Sequence, residues 1–141
     1  NESIIIKSDK KIKALNMETL EYPGFPTDLQ AQYMALMMNA DGESNIKENI
    51  YFDRFTHISE LNRMGANISL KDNVATIIGN NNICSAPVMC TDIRASAALI
   101  IAALCAEGKT EISRIYHIER GYENIEYKLK KIGAKIERIK S

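Results

Sequence analysis

The chain has 141 residues, of which 45% are hydrophobic and 26% charged, and its 18 basic side chains are balanced by 18 acidic ones. This composition is ordinary for one globular domain. The zero net charge excludes the basic surface of a nucleic-acid-binding protein, so we expect no nucleic-acid partner. Any site for an anion must therefore be local and built from a few aimed cations.

The number and spacing of the cysteines argue against two further classes, disulfide-stabilised proteins and zinc-binding proteins. Cys84, Cys90 and Cys105 are odd in number and lack CxxC or Cys/His spacing, which argues against a disulfide framework or a zinc site. We expect Cys105 to fill the core of an apolar helix. Neither a signal peptide nor a transmembrane stretch is apparent, so we expect a cytoplasmic protein with no membrane partner. The start at Asn1 rather than Met suggests a fragment or a processed chain.

Hydrophobic patterns and turn residues predict that strands and helices alternate along the chain. A strand pair at 3–7 and 12–17 precedes a Pro/Gly turn at 21–27. The remaining predicted elements are a helix at 29–40 capped by Thr27-Asp28, a strand at 44–51, a helix at 56–64, hairpin strands at 66–70 and 74–78, a strand at 86–90, a helix at 91–107, a strand at 110–115, a connection at 116–120, a helix at 122–132 and a strand at 134–139. Gly65 and Gly133 fit the C′ position of two of these helices.

The helix that begins at Thr91-Asp92 is the most informative of these elements. From Ala95 to Ala106 its only polar side chain is Ser96, so it should be buried on most sides. Asp92 suits the helix N-terminus, whereas a cation there, Arg94, faces the positive end of the dipole. Arg94 therefore either meets an anion from elsewhere, as in a binding site, or pairs with a nearby carboxylate and solubilises the helix end.

The order of elements contains an internal repeat. Thr27-Asp28-Leu29 recurs 64 residues later as Thr91-Asp92-Ile93, and Gly42 to Arg54 and Gly108 to Arg120 are both twelve residues apart. We therefore divide the chain into the closing strands of a preceding unit at 1–26 and repeat units at 27–90 and 91–141. Such units predict helices packed together behind sheets, and a complete domain would need at least one more copy.

The repeat predicts that charged residues from both units meet at one edge. Helix N-termini and guanidinium groups together favour a phosphate or carboxylate ligand, and a carboxylate among arginines stays ionised and can serve as a general base. The alternative is that the acids cap helices and the arginines form surface pairs. The candidates are Asp28, Arg54, Asp92, Arg94 and Arg120. His57 and His117 lack the spacing of a catalytic triad and are expected to be structural or solvent-facing.

Several motifs together resemble a known family. They are YPGFPTDLQAQ at 22–32, DRFTH at 53–57, TDIRASA at 91–97 and RIYHIERGY at 114–122. They closely resemble the C-terminal part of UDP-N-acetylglucosamine 1-carboxyvinyltransferases, the enolpyruvyl transferases that start peptidoglycan precursor synthesis, and the resemblance covers essentially the whole chain. It implies an α/β (α+β) fold, as part of a two-domain inside-out α/β barrel of six βαβαββ-type units with buried helices and outer sheets.

The resemblance also implies a reaction and its residues. Enolpyruvyl would move from phosphoenolpyruvate to the 3-hydroxyl of UDP-N-acetylglucosamine, releasing phosphate through a tetrahedral ketal without a metal or another cofactor. Asp28 looks like the general base beside the sugar hydroxyl, and Ile50 sits where the family contacts the nucleotide sugar. Arg94 and Arg120 resemble the cations for phosphoenolpyruvate. The other charged positions of the cleft are matched by Arg54 and Asp92.

One departure limits this expectation. The family's catalytic cysteine lies on a loop of the other domain, and none of the three cysteines here matches that loop. We therefore expect a fragment that is inactive alone. Because its third repeat unit is missing, it should also expose apolar surface and self-associate through it. A non-catalytic binding or assembly module of the same fold, and a fragment of the related shikimate-pathway transferase, remain as alternatives.

Overall fold

Two apolar helices packed against each other occupy the centre of the molecule. The computed structural model describes residues 2–7, 11–79 and 82–139. The helices are α1, Gln30–Met37, and α3, Ile93–Cys105, and each buries small or flexible apolar side chains. Met34 and Ala35 of α1 and Ala98 and Leu99 of α3 have no solvent exposure. Because Ala35 and Ala98 are small and Met34 is unbranched, the two helix axes can approach closely.

A four-stranded sheet covers one side of this helix pair. Its strands are β1 (Met17–Glu18), β2 (Glu43–Lys47), β3 (Asn67–Lys71) and β4 (Val74–Ile78), in the order β1-β2-β4-β3. β1 is parallel to β2, and the other pairs are antiparallel. A second sheet pairs β5 (Pro87–Met89) with β6 (Glu111–Ser113) in parallel. The predicted mixed α/β architecture, with helices inside and sheets outside, is what the structure has.

Three shorter helices complete the described chain. They are α2 (Ile58–Arg63), α4 (Tyr116–Glu119) and α5 (Ile125–Lys131), and α4 packs on α3 around a small core of Ala97, Ile100 and Ile118. Gly65 and Gly133 adopt φ angles of 88° and 98°, which confirms the predicted C′ glycines after α2 and α5. Within the described residues no helix is both long and apolar enough to cross a bilayer.

Several predicted elements are wrong at the two ends of the chain. Residues 2–7 and 134–139 form no strand, and of the predicted strand at 12–17 only its last residue lies in one, β1. A strand is defined by a hydrogen-bonded neighbour. Among the described residues, 2–7 and 134–139 pair with no strand, and before β1 the run at 12–17 makes only an isolated bridge between Lys13 and Asp41. The segment 8–11, which would form the turn between the two strands predicted at 3–7 and 12–17, lies mostly outside the described residues.

Other corrections are local. The predicted connection at 116–120 contains helix α4, and the helix predicted from Tyr122 begins at Ile125. Cys105, expected in the core, is exposed at the end of α3. Ile4, Ile5 and Ile6 are also exposed, as expected of a fragment with uncovered apolar surface. The unit boundaries at residues 27 and 91 and the self-association of the chain stay predictions.

Candidate functional site

The carboxylate of Asp28 lies between two arginines that are far apart in sequence. Arg54 Nη1 is 3.0 Å and Arg94 Nε is 2.6 Å from the same oxygen, Asp28 Oδ1. We call these three residues the Asp28 cluster. The side chain of Asp28 is 65% exposed, against 18% for Arg54 and 33% for Arg94. The carboxylate is therefore held by two cations and still reachable from solvent.

Three different elements deliver these side chains. Asp28 lies in the single 3₁₀ turn Thr27–Leu29 that precedes α1, and Arg54 lies in the turns between β2 and α2. Arg94 is in the first turn of α3, in the other predicted repeat unit. Arg54 is further fixed by the ring of Tyr51, whose centroid is 5.0 Å from the guanidinium carbon. The packing of α1 on α3 thus brings the two units together at the cluster.

The two arginines keep Asp28 ionised. The hydrogen bond from Arg94 is the main cause that lowers the pKa of the Asp28 carboxyl below its ordinary value. Burial opposes it as the second-largest effect, and the charges of Arg94 and Arg54 keep the balance on the lowered side. A guanidinium carries five N–H donors in a planar fork. Because each arginine reaches Asp28 through one nitrogen, donors remain for a phosphate or carboxylate ligand.

Asp92 lies next to the cluster and caps α3. Its Oδ1 accepts hydrogen bonds from the backbone N–H groups of Arg94, at 2.8 Å, and Ala95, at 3.1 Å. Thr56 Oγ1, two residues after Arg54, is 3.5 Å from Asp92 Oδ2. Burial alone would raise the pKa of Asp92, but the two backbone donors hold it below its ordinary value. The predicted cap at Asp92 is confirmed, and the same carboxylate fixes the backbone that presents Arg94.

Asp28, by contrast, does not cap its helix. The residue at the N-cap of α1 is Leu29, and no side chain donates or accepts a capping hydrogen bond there. The prediction that Thr27 and Asp28 cap this helix is therefore wrong. The carboxylate instead turns away from its own helix toward Arg54 and Arg94, so equivalent positions of the repeat have different roles.

Ile50 and Arg120 lie outside the cluster. The amide nitrogen of Ile50 donates to a buried acid, Glu48, over 2.9 Å, and the Ile50 side chain is 43% exposed. Arg120 follows α4 and is exposed, and its side chain makes no hydrogen bond or ion pair to the described part of the chain. The segment after it lies near both central helices. A Cβ placed on Gly121 would be 2.4 Å from Ile93 Cδ1, and Gln32 Nε2 donates to Tyr122 Oη at 3.5 Å.

Behind Asp92, His57 is buried with 2% exposure, and its Nε2 is 3.3 Å from Met34 Sδ. Burial lowers the pKa of His57 from 6.5 to about 4, although the charge of Asp92 opposes this shift. The residue is thus neutral and packed at pH 7, which agrees with the structural and not the solvent-facing role among the two predicted from the sequence.

His57 should make the stability of the chain depend on pH. Between pH 6.5 and 4, His57 is protonated in the unfolded state but stays neutral in the folded state. The free energy of unfolding should therefore fall by about 3 kcal/mol as the pH drops through this window. Denaturant unfolding at several pH values measures it. In His57→Gln this part of the pH dependence should vanish, whereas His117→Gln should keep it; equal dependence in both variants would refute the assignment.

Two polar residues of the site were missed in the sequence. Thr27 Oγ1 accepts a hydrogen bond from Arg54 Nη1 at 2.9 Å, and Glu48 is buried immediately after β2. The sequence did carry a signal for Glu48. Side chains alternate between the two faces of a strand, and Glu48 continues the every-second-residue series of Ser44 and Ile46, which lie on the buried face of β2. An acid on a buried face is informative, since carboxylates are almost never fully buried without partners.

Comparisons with known proteins agree on the family. The family model "EPSP synthase (3-phosphoshikimate 1-carboxyvinyltransferase)" matches residues 1–129. A UDP-N-acetylglucosamine 1-carboxyvinyltransferase from Pelagibacter ubique is 59% identical over 136 residues, which are 96% of this chain and 33% of that protein. The chain therefore spans about a third of the length of the curated relatives it matches.

Solved structures share the fold. The enolpyruvyl transferase NikO from Streptomyces tendae matches 92% of this chain, and 30% of its own, with a TM-score of 0.84 at 28% identity. An EPSP synthase from Acinetobacter baumannii matches 90% of this chain, and 28% of its own, with a TM-score of 0.64 at 16% identity. The described residues thus fold as one part of an enolpyruvyl transferase, and the chain belongs to the EPSP synthase (3-phosphoshikimate 1-carboxyvinyltransferase) family.

Proposed function

We propose that this chain supplies one wall of the active site of an enolpyruvyl transferase that acts on UDP-N-acetylglucosamine. The full reaction would transfer enolpyruvyl from phosphoenolpyruvate to the sugar 3-hydroxyl and release phosphate, in the cytoplasm, as the first step of peptidoglycan precursor synthesis. The observation that carries the proposal is the Asp28 cluster, an exposed carboxylate fixed by Arg54 and Arg94.

The geometry suits the first chemical step. An ionised Asp28 accepts the proton of the sugar 3-hydroxyl while the hydroxyl oxygen bonds to C2 of phosphoenolpyruvate. C3 gains a proton from a group outside this chain, which gives the tetrahedral ketal. Loss of a proton from C3 then forms the C2–C3 double bond, while the bond between C2 and the phosphate oxygen breaks and phosphate leaves. The fixed cations stabilise charge without having to reorganise.

Each cation has a proposed partner. Arg94 and Arg120 bind the phosphate and carboxylate of phosphoenolpyruvate, with Arg94 held by Asp92 at the start of α3. Arg54 keeps Asp28 in place. Ile50 contacts the nucleotide sugar through its backbone. Because the Ile50 N–H already donates to Glu48, the Ile50 carbonyl oxygen makes the contact with the nucleotide sugar.

The relatives favour a nucleotide sugar over shikimate 3-phosphate as the acceptor. Proteins 53–59% identical to this chain are named UDP-N-acetylglucosamine 1-carboxyvinyltransferase, whereas the EPSP synthase from Acinetobacter baumannii is 16% identical. No observation in the described residues singles out a non-catalytic module, which becomes an outcome of the test below.

Phosphate release tests the proposal. The 141-residue chain alone should release none from phosphoenolpyruvate and UDP-N-acetylglucosamine, because the proton donor and the remaining ligands lie elsewhere. A chimera in which this chain replaces the matching third of the Pelagibacter ubique relative should be active with UDP-N-acetylglucosamine and inactive with shikimate 3-phosphate. An inactive chimera that folds and binds the sugar would favour a binding module, and the opposite acceptor choice would favour the shikimate enzyme.

A further inference from the structure

A buried carboxylate without a cationic partner lies directly behind the Asp28 cluster. Glu48 has no solvent exposure, and no ion pair joins it to the described part of the chain. Its Oε1 accepts from Thr19 Oγ1 at 2.6 Å, Ile50 N at 2.9 Å and Tyr51 N at 3.0 Å, and its Oε2 accepts from Thr27 Oγ1 at 2.9 Å. Burial of a carboxylate is tolerated when such donors replace water.

These hydrogen bonds keep Glu48 charged. Burial alone would raise the pKa of the Glu48 carboxyl, but its two hydroxyl and two backbone donors together hold it below its ordinary value. The backbone of Glu48 is fixed as well, since its N–H donates to Asn73 O and its carbonyl accepts from Asn73 Nδ2, both at 2.8 Å. The position of this charge is thus set by the strand and by the β3–β4 turn.

The carboxylate ties together the segments that build the site. Thr27 immediately precedes Asp28, while Ile50 and Tyr51 lead into Arg54. Thr19, at the end of β1, accepts a further hydrogen bond from Asn49 N at 2.8 Å. The Glu48 side chain therefore fixes the start of α1 and the loop after β2 in position relative to each other.

A directed chain of hydrogen bonds runs from Glu48 to Asp28. The Thr27 hydroxyl has a single proton, and it donates this proton to Glu48 Oε2. Its lone pairs are then free to accept from Arg54 Nη1 at 2.9 Å. The same Nη1 meets Asp28 Oδ1 at 3.0 Å. The charge on Glu48 thus fixes the Thr27 hydroxyl as an acceptor, and the hydroxyl fixes the arginine.

We propose that Glu48 is a positioning residue for the transfer reaction, which it serves by orienting Arg54, and through it Asp28, by way of the Thr27 hydroxyl. The inference rests on the proposed function for its catalytic meaning, whereas the geometric part concerns this chain alone. Glu48 is buried, and none of its hydrogen bonds goes to a residue of the Asp28 cluster. It would not touch the substrate, so it is not itself a catalytic residue.

Glu48→Gln separates this role from simple stabilisation. The glutamine oxygen can still accept from Thr19, Ile50 and Tyr51, but its amide would donate where Oε2 now accepts, so the Thr27 hydroxyl must turn. Loss of a negative charge would by itself lower the pKa of Asp28, whereas displacement of Arg54 would raise it. The two explanations therefore predict shifts of opposite sign.

The first experiment is a carboxylate carbon NMR titration of the 141-residue chain, with the Asp28 signal assigned through Asp28→Asn. The pKa of Asp28 should rise in Glu48→Gln and in Thr27→Val, and it should stay unchanged in Glu43→Gln, an exposed acid at the start of β2, the strand that Glu48 follows. An unchanged or lowered value in Glu48→Gln would overturn the proposal. Should that variant fail to fold, Thr27→Val, which removes the linking hydroxyl alone, tests the same chain of hydrogen bonds, and an unchanged pKa there would overturn the proposal equally.

The second experiment measures turnover in the chimera. Glu48→Gln should lower kcat roughly 10- to 100-fold, the order expected when a reacting group is displaced by a fraction of an ångström to an ångström. Thr27→Val should lower kcat similarly, and the double variant should fall no further than the more affected single variant. Additive losses, or full activity in Glu48→Gln, would contradict the proposal. An inactive unaltered chimera would instead refute the proposed function, and the titration would still decide the positioning role.

Discussion

Asp28→Asn is expected to lower kcat of the chimera by roughly 10²- to 10⁴-fold, the contribution typical of a general base. The asparagine keeps the size of the side chain and can still accept from Arg54 and Arg94, but it cannot take the proton of the sugar hydroxyl. Steady-state phosphate release measures the change, while the KM for UDP-N-acetylglucosamine should change far less than kcat.

Asp72→Asn is the matched control for this variant. Asp72 lies in the β3–β4 turn with φ 52°, a conformation that asparagine tolerates, so kcat should stay as in the unaltered chimera. A loss in Asp28→Asn no larger than in Asp72→Asn would show that this carboxylate is not the base.

Arg94→Lys should lower kcat/KM for phosphoenolpyruvate by roughly 10²- to 10³-fold, as expected when one preorganised donor to a developing charge is lost. Lysine keeps the charge but lacks the planar fork through which Arg94 can hold Asp28 by Nε and still offer nitrogens to a phosphate. The pKa of Asp28 should also rise, because the hydrogen bond from Arg94 is the main cause of its depression.

Arg63→Lys provides the comparison for this change. Arg63 is 59% exposed on α2 and pairs weakly with Glu60 across 3.6 Å, so the same substitution there should leave turnover and the pKa of Asp28 unaltered. If Arg94→Lys matched it in both measurements, Arg94 would have no part in binding phosphoenolpyruvate.

The apolar helices and their ends could be predicted because they depend on local pattern. The apolar run of α3, the Asp92 cap and the glycines after α2 and α5 follow from periodicity and terminal chemistry, which act over a few residues. The motifs indicated the fold, and the comparisons confirm it. The roles assigned to individual site residues remain proposals.

The predictions that were wrong concern residues whose structure depends on partners distant in sequence. Residues 134–139 have the pattern of a strand, but a strand needs hydrogen bonds to a neighbouring edge, and in the described residues 134–139 pairs with no strand. The prediction that Asp28 caps α1 failed because Arg54 and Arg94 compete for its carboxylate. No local pattern indicates an arginine 66 residues away. The repeat could suggest that these groups meet, but not which of them bond.

The structure of the chimera bound to UDP-N-acetylglucosamine tests the assignment most directly. We predict that the sugar 3-hydroxyl oxygen lies within hydrogen-bond distance of the Asp28 carboxylate, that the Ile50 carbonyl contacts the nucleotide sugar, and that Arg54 and Arg94 still flank Asp28. A nucleotide sugar bound with its 3-hydroxyl turned away from Asp28, or on another face of the molecule, would contradict it.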